Sequence, residues 1–171
     1  MEHLNEVVGE ISGKVYIISH SLGTAIVEKY ITKFSPKLEA VVFLTPSPVI
    51  KRLQKAFLVN FHNIMRSKSC FYFSNRLDES VESVYLDKFT DESRKIELLM
   101  IRKKVPVGYE WNYKTLVMGS LNDNCMPISV LLDTAKIFKA KLIIYQEHCH
   151  DMMLDPAWEI VAEDILGFIL V

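Results

Sequence analysis

The chain lacks any pair of cysteines spaced for a metal or a redox couple. Cys70, Cys125 and Cys149 are odd in number and far apart, which argues against a disulfide framework and fits a reducing compartment. Charge of one sign is also missing: 20 Lys and Arg stand against 21 Asp and Glu, a formal net charge of -1. Neither nucleic acid nor an anionic membrane surface is then the default partner. No apolar run approaches the roughly 18–20 residues that a membrane-spanning helix needs. Even the apolar stretch from Ile160 to Val171 contains Glu163 and Asp164. Met1 to Glu6 shows no basic segment followed by an apolar one, so no secretory leader is expected and the cytoplasm is the simplest address. Internal repeats and low-complexity segments are missing as well.

What is present is a core-forming composition. Of 171 residues, 50% are hydrophobic and 24% charged, enough for one packed domain and too apolar for global disorder. Leu4, Val7, Val8 and Ile11 follow helical spacing, with Gly13 as the stop. Val15-Tyr16-Ile17-Ile18 is a short β-branched run without polar alternation, which predicts a strand buried on both faces of a parallel sheet. Ala25, Ile26, Tyr30, Ile31 and Phe34 then predict a helix. Ala40–Leu44, Leu116–Met118 and Leu142–Tyr145 read as further strands. Ser129–Phe138 reads as a helix between the last two. Asp155 as N-cap and Pro156 in the first turn predict a final helix through Trp158, Val161, Ile165, Phe168 and Ile169. This strand–helix alternation implies a parallel sheet with helices on both faces. The rhythm breaks between Ile50 and Tyr113, a helical, aromatic-rich stretch with Phe57, Phe61, Phe71, Tyr72, Phe73, Tyr85 and Phe89. A helix there is opened by Thr90-Asp91-Glu92 and reaches about Lys104. Such an insert either completes the core or lies over a site as a lid.

Ser19-His20-Ser21-Leu22-Gly23 has the form of a nucleophile elbow, a sharp strand-to-helix turn. It follows a buried-strand candidate and opens an apolar helix, which is the setting that motif requires. The turn holds Ser21 in a strained backbone and raises its hydroxyl above the sheet. Residues two before and two after must be small, and Ser19 and Gly23 are. The helix aims its first N–H groups at the site, and the Leu22 N–H is a candidate oxyanion donor.

A nucleophilic serine needs a base, and the base needs an orienting acid. Asp123 lies just past the strand ending near Met118, and His150 just past the strand ending at Tyr145. Both loops fall at the C-terminal edge of the sheet, with Ser21. Asp151 and Asp155 are poorer acids, held too near His150 in sequence to reach its far ring nitrogen. His148 is the rival base, but it sits closer to the strand end. A zinc cluster of Cys125, His148, Cys149 and His150 matches no common ligand spacing, and the two cysteines read better as small buried hydrophobes. His3, His20 and His62 receive no chemical role; His20 is expected to pack against neighbouring loops. Lys51-Arg52 with Lys55, and Arg102-Lys103-Lys104, read as solvated faces.

Three stretches resemble the α/β-hydrolase superfamily, and within it the esterase, lysophospholipase and monoacylglycerol-lipase group. They are residues 15–23, residues 116–123, and His150-Asp151-Met152-Met153-Leu154-Asp155-Pro156 with Trp158. The resemblance implies an α/β fold corresponding to the C-terminal half of the family architecture. The core would be residues 1–50 and 114–171, and residues 51–113 a helical cap. It implies Ser21 as nucleophile, Asp123 as acid, His150 as base and Leu22 as an oxyanion donor. Catalysis would cleave a carboxylic ester through an acyl-enzyme, with no metal or organic cofactor and a small-molecule ester as substrate. In the family further strands precede the elbow, and the loop after one of them supplies the second oxyanion N–H; here a single helix precedes it. The elbow strand would therefore form a sheet edge, open to a second copy or a separate N-terminal piece. The competing expectation is a non-catalytic relative that keeps the elbow as a binding or scaffold subunit.

Overall fold

The computed structural model describes residues 1–48, 72–90 and 110–171. Four strands, β1 (Tyr16–His20), β2 (Ala40–Leu44), β3 (Thr115–Ser120) and β4 (Lys141–Tyr145), form one sheet in the order β1-β2-β3-β4, with every pairing parallel. The described helices are α1 (Glu2–Glu10), α2 (Gly23–Phe34), α3 (Glu79–Leu86), α4 (Ile128–Phe138) and α5 (Trp158–Ile169). This is the α/β architecture expected of the strand–helix alternation. The helix opened by Thr90-Asp91-Glu92, the aromatics Phe57, Phe61 and Phe71, together with His62, Cys70 and both basic runs, lie outside the described residues. No described helix is long and apolar enough to cross a membrane.

The sheet is covered on both faces, and strand alternation divides the core in two. Val41, Phe43 and Val117 face Val27, Tyr30 and Ile31 of α2 and Leu131, Ala135 and Phe138 of α4. Ala40, Val42, Leu44, Leu116 and Met118 face Val161, Ile165 and Phe168 of α5. Aromatic rings close the first layer: Phe138 lies 5.3 Å from Phe43 and 4.3 Å from Trp111, centroid to centroid. Each fully buried side chain of this size contributes about 1.5–3 kcal/mol, so β2 and β3, buried along their whole length, anchor the fold.

Two expectations need correction. The run 15–18 is not a strand buried on both faces: Ile18 is 51% exposed. β1 is the sheet's edge among the described strands, and the core on the α5 side is built over β2 and β3. The second correction concerns Asp155, which does not cap the final helix. α5 begins at Trp158 with Ala157 as its cap residue. The Asp155 carboxylate instead accepts the Ala157 N–H at 3.0 Å, and its carbonyl accepts the Trp158 N–H. It closes a tight turn ahead of the helix, and the same carboxylate oxygen accepts from Arg76 at 2.6 Å.

Candidate active site

Ser21 sits between β1 and α2 with φ +48, the left-handed region that non-glycine residues rarely occupy. The strain is held by main-chain bonds on both sides of the residue. Its N–H donates to Leu44 O at 3.0 Å, and its own carbonyl accepts from Thr24 N–H and Ser47 N–H, both at 3.1 Å. The close approach behind the turn is visible at Gly23, where an added Cβ would meet the Ser19 Cβ at 3.4 Å. That contact explains the small residues flanking Ser21. α2 starts at Gly23, so the Leu22 and Gly23 N–H groups belong to the first turn, which has no intrahelical acceptors.

The Ser21 hydroxyl lies 2.9 Å from His150 Nε2, and His150 Nδ1 lies 3.0 Å from Asp123 Oδ2. The other carboxylate oxygen, Oδ1, accepts the N–H groups of Cys125 (2.7 Å) and Met126 (2.9 Å). Those bonds fix the carboxylate plane, leaving Oδ2 for the imidazole. A carboxylate only accepts, so Nδ1 carries the ring proton and Nε2 presents a lone pair to the serine O–H. Asp123 and His150 are both buried, which strengthens the chain of bonds by excluding water. The structure thus brings together Ser21, Asp123 and His150 from loops following β1, β3 and β4.

The rival groups are engaged elsewhere. His148 packs its ring 4.6 Å from Tyr145, and its Nε2 donates to Ala157 O at 3.2 Å. Asp155 pairs with Arg76. Burial opposes the Asp155 charge, but the Ser74 hydroxyl, the Ala157 N–H and the Arg76 guanidinium prevail and hold its carboxyl below the usual range. Cys149 packs against Asn122, with its Sγ 3.6 Å from Asn122 O. Two groups among the described residues bring three potential ligand atoms within 4.8 Å, His20/His150/Asp151 and Asp123/Cys125/His150. Both need His150, whose two ring nitrogens already face Ser21 and Asp123, so an ion would have to dismantle that arrangement.

Several neighbours of the site carry no sequence signal of a role there. The His20 ring lies 4.8 Å from the His150 ring, and its Nε2–H donates to His150 O at 3.0 Å. Burial, and then the electrostatic influence of the His150 ring, push the His20 pKa down to about 4, so the His20 ring is neutral. Asp151 Oδ1 is 3.4 Å from His20 Nε2. Burial, aided by Asp123, pushes its carboxyl up to about 6 despite the opposing effect of His150. The Thr45 hydroxyl also donates to His150 O, at 3.2 Å. Tyr72 O accepts the Asp151 N–H at 2.9 Å, and the Tyr72 ring sits edge-on to His150 with centroids 6.0 Å apart. Tyr72 belongs to an aromatic cluster with Phe73, Tyr85 and Phe89.

A family model described as serine hydrolase matches residues 1–156. No curated protein matches the sequence. Among solved structures, the chain is similar to an esterase from Exiguobacterium antarcticum, with TM-score 0.79 and 16% identity over 99% of this chain and 72% of that one. A bromoperoxidase from Bacillus anthracis gives TM-score 0.74 at 16% identity, over 98% and 72%. A monoacylglycerol lipase from Paleococcus ferrophilus gives TM-score 0.65 at 17% identity, over 98% and 72%. Identities this low carry the α/β-hydrolase fold and not an activity.

Proposed function

The chain belongs to the serine hydrolase family, and on that premise we propose that it cleaves a carboxylic ester with Ser21 as nucleophile, His150 as base and Asp123 as orienting acid. The observation that carries this reading is the continuous bond chain Ser21 Oγ, His150 Nε2, His150 Nδ1, Asp123 Oδ2, built on a serine at positive φ. His150 takes the Ser21 proton as Oγ attacks the ester carbonyl. Asp123 stabilises the imidazolium that results. The Leu22 N–H, at the start of α2, receives the developing oxyanion. Collapse of the tetrahedral species expels the alcohol, which takes its proton from His150. Water, deprotonated by the same imidazole, then attacks the acyl-enzyme and releases the acid.

Substrate class is the finer part of the proposal. Tyr72 and the aromatic cluster behind it border His150, which supports an apolar acyl group of lipid-like or small esters. Residues 51–113, to which this cluster belongs, would form the cap over the site. Fluorophosphonate labelling tests the reading: Ser21 should be modified in the wild type, and Ser21→Ala should abolish both labelling and p-nitrophenyl ester turnover. A folded sample left unlabelled at Ser21 would refute it. A second reading is favoured by the half-exposed Ile18 on edge strand β1. In it the chain is a binding subunit that pairs along β1 with a second copy or an N-terminal piece. Ester turnover by a strictly monomeric sample would remove that reading.

A further inference from the structure

The loop leaving β2 takes no part in the reaction as proposed, yet it contacts the main chain of both reacting residues. Leu44 O accepts the Ser21 N–H at 3.0 Å, and the Ser47 N–H donates to Ser21 O at 3.1 Å. Between them, Thr45 donates its N–H to Met118 O on β3 at 2.8 Å and its hydroxyl to His150 O at 3.2 Å. Thr45 is fully buried and has φ +41, a conformation that is a true outlier for a β-branched side chain. Such an outlier persists only where its surroundings over-determine it, and it clusters with function. The carbonyl it serves is doubly occupied, since the His20 Nε2–H reaches the same oxygen at 3.0 Å. A carbonyl has two lone pairs, so these two donors saturate it.

We propose that Thr45 is a positioning residue: its hydroxyl, with the His20 ring as second donor, fixes the His150 main chain relative to Ser21 and so keeps the imidazole between Ser21 and Asp123. This rests on the serine hydrolase reading of the site. Among the described residues, the hydrogen bonds of Thr45 go to the main-chain oxygens of Met118 and His150, so it acts through His150 and not on the substrate. With its carbonyl held by two donors, the His150 main chain keeps its place beside Ser21, and the imidazole is left only side-chain rotation, which its bond to Asp123 opposes.

The test compares Thr45→Val, which keeps the shape and removes the hydroxyl, with Thr45→Ser, which keeps the hydroxyl. With misplacement on the ångström scale costing up to about a hundredfold in rate, Thr45→Val should label with fluorophosphonate roughly tenfold more slowly, kcat falling in proportion while KM stays within about twofold. Thr45→Ser should approach the wild type. Solvent exchange of the His150 Nδ1 proton, followed by NMR, should be about tenfold faster in Thr45→Val as the ring loosens. This second readout needs no turnover. If the wild type itself never labels, the hydrolase reading falls while the exchange rates still decide the positioning role. Should Thr45→Val not fold, His20→Leu against His20→Gln makes the same comparison on the other donor. The proposal is overturned by a folded Thr45→Val that labels and exchanges at wild-type rates, or by a Thr45→Ser as impaired as Thr45→Val.

Discussion

Ser21 Oγ and His150 Nε2 stand 2.9 Å apart across 129 positions of sequence. The parallel sheet makes this meeting possible: strands running the same way deliver the loops after β1, β3 and β4 to one edge. Each partner is then aimed by local bonds, Ser21 by Leu44 and Ser47, and Asp123 by the amides of Cys125 and Met126.

Asp123→Asn should be folded and nearly inactive. The amide oxygen is needed by the Cys125 and Met126 N–H groups, which turns the NH₂ towards His150 Nδ1. That forces the proton onto Nε2, where it can no longer accept from Ser21. A loss on the order of 10⁴ in kcat is expected for a wrong tautomer, with a stability change of about 1 kcal/mol. Steady-state kinetics beside a thermal melt checks both; activity within tenfold of wild type contradicts the assigned tautomer.

Gly119→Ala should destabilise the protein. The added Cβ would lie 2.0 Å from Leu131 Cδ2 and 2.8 Å from its Cγ, and Leu131 is fully buried in α4. Overpacking of this kind costs roughly 1–3 kcal/mol. Combining Gly119→Ala with Leu131→Ala should cost less than the sum of the two changes. Additive urea midpoints at unchanged slope would show that the helix simply moves aside.

Asp151→Asn should stabilise the protein above pH 6 and have little effect near pH 4. Because the folded carboxyl titrates near 6 instead of 3.8, the folded state holds the proton more tightly than the unfolded one between those values. Stability from this group is present below pH 3.8 and is lost as pH rises through 6; removing the acid removes that loss. The shift corresponds to roughly 2–3 kcal/mol at most. His20 works in the opposite direction, since its depressed pKa of about 4 makes stability rise with pH between about 4 and 6.5. In the wild type the two slopes offset each other, and the variant should expose the His20 slope. Melting temperatures across pH 4–8 measure it; a constant difference between the two proteins at every pH refutes the assignment.

Arg76→Met should lower stability by roughly 1–3 kcal/mol at pH 7, since it strands the buried Asp155 carboxylate. Arg76 bridges Asp155 and Glu147, the latter at 3.0 Å. The Asp155 carboxyl is held low, so its contribution is present above the unfolded value near 3.8 and is lost on acidification through the folded one. The gap between variant and wild type should therefore narrow as the pH falls below about 3.8 and close once the folded carboxyl is protonated. A gap that does not narrow at all as the pH is taken below 3.8 would assign the loss to packing of the arginine stem.

How legible all this is from sequence follows the range of the interaction. The elbow is readable because its demands are local: a buried run, a serine, and small residues at Ser19 and Gly23 that permit a 3.4 Å approach. Strand and helix order are readable because periodicity is local too. The exposure of Ile18 is not legible in its own run, because an edge strand and a central one share the same apolar spelling; only the resemblance makes the elbow strand an edge. Asp155 misleads because its bonds to Ala157 and Trp158 close a turn of their own, and the regular helix starts only at Trp158. His20 is legible only as packing against a neighbouring loop, as found, and Thr45 is not legible, for a related reason: both bind a main-chain oxygen, and every residue has one.

The sheet's sequential order also sets a timetable. As the chain emerges from synthesis, β1 and the strained Ser21 precede Asp123, and Asp123 precedes His150. A nascent chain stopped before His150 would carry a nucleophile that nothing can deprotonate. On the proposed reading, chemistry would be withheld until the segment carrying His150 docks, and losing that segment would silence the protein while sparing the turn at Ser21.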